Sequence, residues 1–305
     1  MSGLSGSQMQ NGKAFEYAIA ESFGEVFSLR NGAMLVKNKA HDIAKSCFDL
    51  QNKEKKLLFK RAGNEIAMFL PAYDVNVEKC TNIRLQDDTA GISGDVRDVI
   101  INTGSCEIGI SAKVNHAAIK HPRLSAKLDF GKVWTGFPCR NQYFDTVSPI
   151  FAHLDKLKHE RKRWEQITMK DSQIYLPILT AFQDEMNWLY YEHKVIFVEN
   201  LFKYLLGKYD FYKIELYVKE KEVSIQSVNL YGTLSYGKKW KIPDRIENII
   251  RPNGSANTLI VKFSGGWEIS FRLHNASGIA EPSLKFDINF IGISPDAGKH
   301  LISLK

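Results

Sequence analysis

The chain has 305 residues, of which 44% are hydrophobic and 25% charged, and a formal net charge of +7. This length and composition fit a globular protein with one large domain or two smaller ones. No apolar run approaches the roughly 18–20 residues that cross a bilayer, and the first residues lack the apolar stretch of a signal peptide, so we expect a cytoplasmic protein without a membrane span. The positive charge favours polyanionic partners such as nucleic acid.

The first part of the chain has the periodicity of amphipathic helices. In KAFEYAIAESFGEVF, residues 13–27, apolar side chains fall at Phe15, Ala18, Ile19 and Phe23, which is helical spacing. The stretch 41–70 predicts one or two further amphipathic helices. The four cysteines are widely spaced and form no Cys-x-x-Cys pair, so we expect free thiols and no zinc site. They are Cys47, Cys80, Cys106 and Cys139.

A β-hairpin is predicted for GDVRDVIINTGSCEIGISAK, residues 94–113, with its turn at the Gly-Ser pair. Successive side chains of a strand point to opposite faces. Closing the hairpin at this turn therefore puts Asp98 opposite Ser111, with Lys113 one pleat further along. The alternate residues of the second strand are apolar and are expected to face the core.

An acid and a lysine held together beside an apolar support suit metal-assisted hydrolysis of a phosphodiester. In this interpretation Asp98 binds Mg²⁺, which prefers oxygen ligands, and Lys113 orients the attacking water and stabilises the transition state. Two alternatives stay open. The pair can be an ordinary cross-strand ion pair on an exposed hairpin, and Asp95 can replace Asp98 as the metal ligand.

Side chains that can donate hydrogen bonds follow the hairpin closely. They are Asn115, His116, Lys120, His121 and Arg123. A loop and helix in this segment would bring them to the phosphates around the scissile bond, and the alternative is a solvated basic helix face. A further helix is predicted for residues 151–166, and its charged run HERKRWE is interpreted as solvated surface.

The rest of the chain combines long helices with strands. Helices are predicted for residues 175–191 and 198–210, with Gly207 as a C-cap. Strands are predicted within residues 213–220, 222–232, 258–275 and 284–292. This order predicts a mixed α/β (α+β) protein with a β-rich C-terminal part. We expect a core at 1–168 and a second region at 169–305, or one continuous domain.

The stretch 258–275 predicts a two-stranded ribbon with one apolar and one polar face. The apolar face consists of Leu259, Val261, Phe263, Trp267, Ile269 and Phe271. Such a ribbon can enter a major groove, where arginine makes bidentate contacts with guanine. Base or phosphate contacts are therefore expected from Arg272, His274, Asn275 and Ser277. A sheet with one wetted face is the alternative.

The hairpin carries most of a known motif, in which an acid opens an apolar strand and a second strand ends in acid-x-Lys. This is the signature of PD-(D/E)xK nucleases. With the stretches GDVRD…EIGISAKVNHAAIKHPRLS, SGGWEISFRLHNAS and EPSLKFDINFIG, the chain resembles the HaeIII-type type II restriction endonucleases, over roughly residues 11–130 and 240–292. The resemblance implies a central mixed β-sheet flanked by helices, and Mg²⁺-dependent cleavage of double-stranded DNA at the palindrome GGCC. It also implies a homodimer and a cognate cytosine methyltransferase as functional partner.

One position departs from the superfamily pattern. Ser111 stands two residues before the lysine, where an acid is usual, so another carboxylate must complete the site. Related nucleases often place a glutamate of the N-terminal helix beside the metal, which favours Glu16, then Glu107, and then Glu65 and Asp129. Two other functions stay open: a repair or junction nuclease with the same core, and a non-catalytic DNA-binding protein with a degenerate site.

Overall fold

The computed structural model describes residues 3–87, 94–116, 118–292 and 298–305 and confirms a mixed α/β fold. The α-helices in these ranges are α1 (Gly3–Asn31), α2 (Lys39–Asp49), α3 (Lys53–Tyr73), α4 (Phe130–Thr135), α5 (Asn141–His159) and α6 (Leu176–Leu206). Helix α6 is interrupted at Lys194, whose φ of 48° and ψ of −125° are not helical. None of the helices in the described ranges combines the length and the apolar character needed to cross a membrane.

The larger sheet has seven strands of mixed direction. In spatial order they are β1 (Met34–Val36), β2 (Asn82–Leu85), β3 (Val99–Asn102), β4 (Glu107–Val114), β6 (Phe211–Tyr217), β7 (Glu222–Val228) and β12 (Lys299–Ser303). The pairs β1–β2 and β4–β6 are parallel, and the other neighbours are antiparallel. The two central strands, β4 and β6, are thus paired although a long segment of chain separates them.

The smaller sheet has five antiparallel strands. In spatial order they are β5 (Arg123–Ser125), β11 (Ser283–Gly292), β10 (Trp267–His274), β9 (Thr258–Phe263) and β8 (Ile246–Ile250). Strands β9 and β10 form the predicted ribbon, with Trp267 opposite Phe263. All six side chains predicted for its apolar face are buried, so the alternation was interpreted correctly.

The chain divides into two compact units. Unit 1 comprises Met1–Ala117, Gly207–Lys241 and Pro295–Lys305, and unit 2 comprises Ala118–Leu206 and Ile242–Ser294. This division departs from the predicted regions, because a cut after residue 168 would separate β4 from its neighbour β6. Each unit is assembled from distant segments, which a linear division of the sequence does not represent.

The core of unit 1 is formed by the N-terminal helices and the larger sheet. On α1, Phe15, Ile19 and Phe23 recur every four residues and are fully buried, which confirms the predicted helical spacing. Helix α3 approaches α1 closely at Gly63, where a Cβ atom would lie 2.7 Å from the carbonyl oxygen of Ala18. The absence of a side chain at this point lets the two helices pack tightly and fixes the position of α1.

The core of unit 2 is largely aromatic. Phe182 of α6 packs against Phe130 of α4 and Phe286 of β11, with ring centroids 4.6 Å and 5.1 Å apart. Phe271 of the ribbon lies 5.8 Å from Phe286. Helices of the same unit thus cover the apolar face of the smaller sheet, which directs the alternate, polar side chains of β10 and β11 to its opposite face.

The four cysteines are free thiols, as predicted. Burial raises the pKa of Cys80 to about 12, and burial also raises the pKa of Cys139 above its ordinary value. The thiolate is the reactive form of cysteine, and a raised pKa disfavours it. These two residues therefore pack as small apolar groups.

The helix predicted for residues 151–166 is shifted in the structure. Helix α5 spans Asn141–His159 and ends in a Schellman motif formed by the backbone N–H groups of Arg161 and Lys162. Arg161 has a φ of 54°, in the left-handed region, which ends the helix. The charged run HERKRWE therefore starts at the last helical residue and does not form a helix face.

Candidate active site

The hairpin has the predicted register. In the antiparallel pair of β3 and β4, Val99 lies opposite Ile110, and the backbone N–H of Asp98 donates to the carbonyl oxygen of Ile110 at 2.7 Å. Asp98 therefore lies opposite Ser111, immediately before β3 begins. The alternate side chains of β4 belong to the core of unit 1, which fixes the direction of Ser111 and Lys113.

One oxygen of Asp98 receives three hydrogen bonds from β4. Ser111 Oγ donates to Asp98 Oδ2 at 3.2 Å, the backbone N–H of Ala112 at 2.8 Å, and Lys113 Nζ at 3.3 Å. Between described residues, every hydrogen bond to this side chain falls on Oδ2. The side chains stay partly accessible, with 21% of Asp98 and 24% of Lys113 exposed. The site thus presents a fixed carboxylate beside an ammonium group.

Helix α1 brings a second carboxylate to this site. Glu16 is only 6% exposed and forms an ion pair with Lys13 at 2.9 Å. Burial and the negative charge of Asp98 raise the pKa of Glu16 to about 7, against the opposing effects of Lys13 and Lys113. Asp98 and Lys113 both act on the pKa of Glu16, so Glu16 lies close enough to interact electrostatically with both residues.

Asp95 is held in a buried ion pair. Its carboxylate accepts hydrogen bonds from Arg97 at 2.8 Å and 2.7 Å. Burial would raise the pKa of Asp95, but the hydrogen bonds from Arg97 outweigh it, so the pKa lies below its ordinary value. The side chain of Arg97 lies across Gly109, where a Cβ atom would collide with it. These contacts give Asp95 a structural role at the entry to the hairpin and argue against it as the metal ligand in place of Asp98.

The other carboxylates considered as metal ligands have different surroundings. Glu107 forms ion pairs with Arg84 and Arg97 at 2.9 Å and 3.2 Å. Glu65 is exposed on α3, and Asp129 caps α4 by accepting a hydrogen bond from a backbone N–H of its first turn. Of these carboxylates, Glu16 on α1 is therefore the one that interacts with both Asp98 and Lys113.

A second polar cluster surrounds Asp287 of β11, in unit 2. Asp287 lies opposite Arg272 in the sheet and accepts a hydrogen bond from its Nη2 at 2.7 Å. His121 Nδ1 and His274 Nε2 lie 2.9 Å and 3.2 Å from the other carboxylate oxygen. Burial opposes ionisation of Asp287, but the hydrogen bonds with His121 and Arg272 and the nearby ring of His274 hold its pKa far below the ordinary value.

Sequence reasoning did not identify Asp287. A signal was present, because Asp287 is an isolated acid inside the apolar strand LKFDINFIG. Its side chain is only 5% exposed, and a buried acid requires basic partners. Which residues those partners are depends on strand pairing, which the sequence pattern alone does not specify.

Comparison with known proteins decides the family. A family model described as HaeIII restriction endonuclease matches residues 12–294. The chain belongs to this family. It is 37% identical over 306 residues to the type II restriction enzyme HaeIII of Haemophilus aegyptius, a match that covers 95% of the chain and 96% of that protein. No solved structure gives a significant match.

The family confirms the predicted class of enzyme. The protein is a type II restriction endonuclease, a site-specific deoxyribonuclease that acts on double-stranded DNA. This assignment favours restriction over a junction nuclease and over a non-catalytic DNA-binding protein.

Two residues predicted to contact phosphates make hydrogen bonds to the backbone of the protein itself. Asn115, with a φ of 49°, accepts a hydrogen bond from the backbone N–H of Val218 at 2.9 Å. Lys120 Nζ lies 3.5 Å from the ring centroid of Tyr204 and donates to the carbonyl oxygen of the same residue. Burial lowers the pKa of Lys120 to about 8. Both side chains stabilise the local backbone, and their contact with DNA stays a prediction.

The turn after the ribbon uses two further candidates. Asn275 donates to the carbonyl oxygens of Ser277 and Ile279 at 2.6 Å and 2.7 Å and accepts from the backbone N–H of Glu281 at 2.9 Å. Ser277 Oγ donates to the carbonyl oxygen of Ile279 at 2.7 Å. These bonds order the chain between β10 and β11, and contact of Asn275 and Ser277 with DNA stays a prediction.

Three further candidates have exposed or half-buried side chains. Arg272 is 56% exposed at its side chain despite its bond to Asp287. Arg123 is exposed on β5 and donates a hydrogen bond to Ser283 Oγ at 3.0 Å. His116 follows β4 and is half-buried. These basic residues stay candidates for contact with DNA.

Proposed function

We propose that the enzyme hydrolyses double-stranded DNA at the palindrome GGCC, with Mg²⁺ as cofactor and with Asp98 and Lys113 as catalytic residues. The observation that carries the proposal is the convergence of Ser111, Ala112 and Lys113 on one oxygen of Asp98. A fixed carboxylate beside a lysine is what metal-assisted phosphodiester hydrolysis requires. The palindrome is the one that the family resemblance implies.

Asp98 and Glu16 are the residues proposed to hold Mg²⁺. The hydrogen bonds from β4 occupy Oδ2 of Asp98 and leave Oδ1 as the oxygen for a cation. The charge of Asp98 contributes to raising the pKa of Glu16 to about 7, and a divalent cation between two such carboxylates relieves their repulsion. When bound, the ion would lower the pKa of a coordinated water and neutralise charge on the phosphate. Glu107, which is paired with two arginines, is not proposed as a ligand.

Lys113 and Ser111 are proposed to act from β4. The ammonium group of Lys113 places a positive charge next to Asp98, where it stabilises the negative charge that develops on the scissile phosphate. The hydroxyl of Ser111 carries no charge and orients the carboxylate of Asp98. Serine at this position therefore keeps the geometry of the site but leaves its second negative charge to Glu16.

Recognition of the DNA sequence is proposed for the basic side chains around Asp287. Arg272 uses Nη2 for Asp287, which leaves its other N–H groups for guanine O6 and N7. His121 and His274 flank the same carboxylate and are proposed to contact bases or phosphates beside Arg272. A palindromic site has the same sequence on both strands and is therefore two-fold symmetric. Two copies of the enzyme related by two-fold symmetry would read it, which supports a homodimer. Arg123 is proposed to contact a phosphate.

Cleavage of plasmid DNA tests the proposal. With Mg²⁺, we expect discrete fragments whose ends map to GGCC, and none with the variant Asp98→Ala or with plasmid methylated at the cytosines of the site. Fragments that map to another sequence would refute the palindrome. Preferential cleavage of branched DNA would support a junction nuclease, and retardation without cleavage would support a DNA-binding protein. Sedimentation equilibrium tests the homodimer.

A further inference from the structure

The strand next to β4 carries a buried pair of charges beside the proposed catalytic residues. Strands β4 and β6 are parallel, and their register pairs Ser111 with Lys213 and Lys113 with Glu215. Paired residues of neighbouring strands lie about 5 Å apart and point to the same face of the sheet. Lys213 and Glu215 therefore share the face of Ser111, Lys113 and Asp98.

Lys213 and Glu215 form an ion pair. Lys213 Nζ lies 2.9 Å from Glu215 Oε1, and the hydroxyl of Tyr217 donates to Glu215 Oε2 at 3.0 Å. Lys213 and Glu215 are each only 5% exposed. Because both oxygens of Glu215 are engaged, its carboxylate is arranged as a partner of Lys213 and not as a metal ligand.

A buried ion pair of this kind is costly for the fold. The desolvation penalty of two charges often exceeds their mutual attraction, and apolar residues of similar volume are commonly as stable or more stable. Burial lowers the pKa of Lys213, Glu215 opposes that effect, and the positive charge of Lys113 adds to the lowering. Lys213 and Lys113 are therefore close enough to repel each other.

The charges on the two strands alternate. Lys113 has Asp98 at 3.3 Å within the hairpin and Glu215 beside it on β6. Lys213 stands beside Ser111, which offers no opposite charge. Glu215 supplies that charge from β6 itself, two residues further along the strand.

We infer that Glu215 and Lys213 are positioning residues of the active site, which hold the ammonium group of Lys113 against Asp98. The inference rests on the proposed function, because it takes Asp98 and Lys113 as catalytic. Without Glu215, the buried charge of Lys213 would repel Lys113 across the strands. Without Lys213, Glu215 would compete with Asp98 for Lys113. The balanced pair leaves Lys113 bound to Asp98.

The double variant Lys213→Met/Glu215→Leu distinguishes positioning from a purely structural role. It replaces the pair by apolar side chains, so the midpoint of thermal unfolding should stay at or above that of the wild type. Because this variant removes both the charge of Lys213 that would repel Lys113 and the charge of Glu215 that would compete for it, single-turnover cleavage of a cognate duplex at saturating enzyme should stay within about three-fold of the wild type. The Kd measured with Ca²⁺ in place of Mg²⁺ should change by less than about two-fold. A folded double variant that cleaves at least about ten-fold more slowly overturns the inference.

Glu215→Gln is the second variant, and it tests the positioning role even if the double variant does not fold. It removes the charge of Glu215 with little change in volume but keeps the charge of Lys213, so it should cleave at least about ten-fold more slowly at unchanged Kd; cleavage at the wild-type rate overturns the inference. The matched control is Arg140→Met/Glu185→Leu, which removes an ion pair of 3.0 Å in unit 2 and should not slow cleavage. An equal loss in this control also overturns the inference.

Asp98→Ala, assayed in parallel, keeps the two hypotheses separate. Cleavage by Asp98→Ala would refute the proposed function and with it the basis of the inference. Loss of cleavage by Asp98→Ala together with normal cleavage by Glu215→Gln refutes the inference alone.

Discussion

Asp98 accepts hydrogen bonds from a hydroxyl, a backbone N–H and an ammonium group through one oxygen. These donors fix the plane of the carboxylate. The pairing of β3 with β4 is made by backbone groups between Val99 and Ile110, so it does not depend on the side chain at 98 or 113. Changes at these two positions therefore alter the charge of the site and spare the sheet.

Asp98→Asn and Lys113→Met are each expected to lower single-turnover cleavage by about 10²–10³-fold or more, because each removes a charge that acts on the reacting phosphate. Specific binding should stay within a few-fold of the wild type, measured with Ca²⁺ in place of Mg²⁺. Normal cleavage by either variant would exclude that residue from catalysis. Loss of binding in both would show that they hold the DNA instead.

Glu16→Gln is expected to raise the Mg²⁺ concentration needed for half-maximal cleavage more than Glu107→Gln does. The reason is that Glu16 interacts with Asp98, whereas Glu107 is paired with Arg84 and Arg97. Titrations of cleavage rate against Mg²⁺ compare the two isosteric variants directly. A larger shift for Glu107→Gln would move the second ligand to β4.

Glu16 also predicts a pH dependence of stability in the metal-free enzyme. Its pKa is about 7 in the folded protein, above its ordinary value of 4.5, so the folded state binds the proton more tightly than the unfolded state. The contribution of Glu16 to the free energy of unfolding should therefore be full below about pH 4.5. It should fall as the pH rises towards 7, by up to about 3 kcal/mol. Urea unfolding at pH 5 and pH 8 with a chelator should show this fall in the wild type and a smaller one in Glu16→Gln. Glu65→Gln, an exposed change on α3, is the control, and equal slopes in all three would contradict the prediction.

At the scale of elements, the ribbon and its neighbour β11 are adjacent strands of the smaller sheet in unit 2 and carry the residues proposed for recognition. Packing of the apolar face fixes the direction of the polar face, and Asp287 fixes the guanidinium of Arg272 through a cross-strand contact of 2.7 Å. A side chain ordered in this way loses less conformational entropy when it binds a base. The specificity of the ribbon therefore depends on β11 as well as on β9 and β10.

Arg272→Ala is expected to weaken cognate binding by about 1–3 kcal/mol per lost base contact. Non-specific binding should change little, because it rests mainly on phosphate contacts. Competition between cognate and scrambled duplexes at one salt concentration measures the ratio. An equal loss for both duplexes would mean that Arg272 contacts phosphate.

Asp287→Asn is expected to lower the same ratio of cognate to scrambled affinity, because Arg272 and both histidines lose the charge that orients them. The control is Glu268→Gln on the same ribbon, where Glu268 pairs with Lys262 at 2.8 Å without contacting Arg272. That variant should keep the wild-type ratio. An unchanged ratio in Asp287→Asn would limit Asp287 to a role in stability.

At the scale of the whole molecule, the order of strands decides which parts of the chain can fold alone. The central strands β4 and β6 come from opposite sides of the segment Ala118–Leu206, which belongs to unit 2. Unit 1 also takes its last strand, β12, from the C-terminal end. A fragment that ends after α5 thus lacks the strands on one side of β4.

The fragment 1–168 is therefore expected not to fold cooperatively. It would expose the edge of β4 and the apolar side chains that pack with β6 and β7. Near-ultraviolet circular dichroism and urea unfolding of this fragment should show no native signal and no sigmoidal transition, in contrast to the full chain. Co-expression with 169–305 is the control, since both units can assemble when all strands are present. A sharp transition in the isolated fragment would restore the boundary predicted at residue 168.

The sequence by itself determined the local patterns of this protein. A period of two identified the hairpin and the ribbon and put Asp98 opposite Ser111, because alternation follows from strand geometry alone. Helical spacing identified α1 and its buried face in the same way. Short strands such as β1 and β5, with three residues each, carry too few positions for such a pattern and were not predicted.

Only the tertiary structure decided which distant residues meet. Packing of α1 brings Glu16 to Asp98, the pairing of β4 with β6 puts Glu215 beside Lys113, and the pairing of β10 with β11 gives Asp287 its basic partners. A sequence pattern states which face of an element is apolar, but every apolar face can pack against several others. The choice among them depends on the summed burial and strand register of the complete chain, and the carboxylates of the site are placed by that choice.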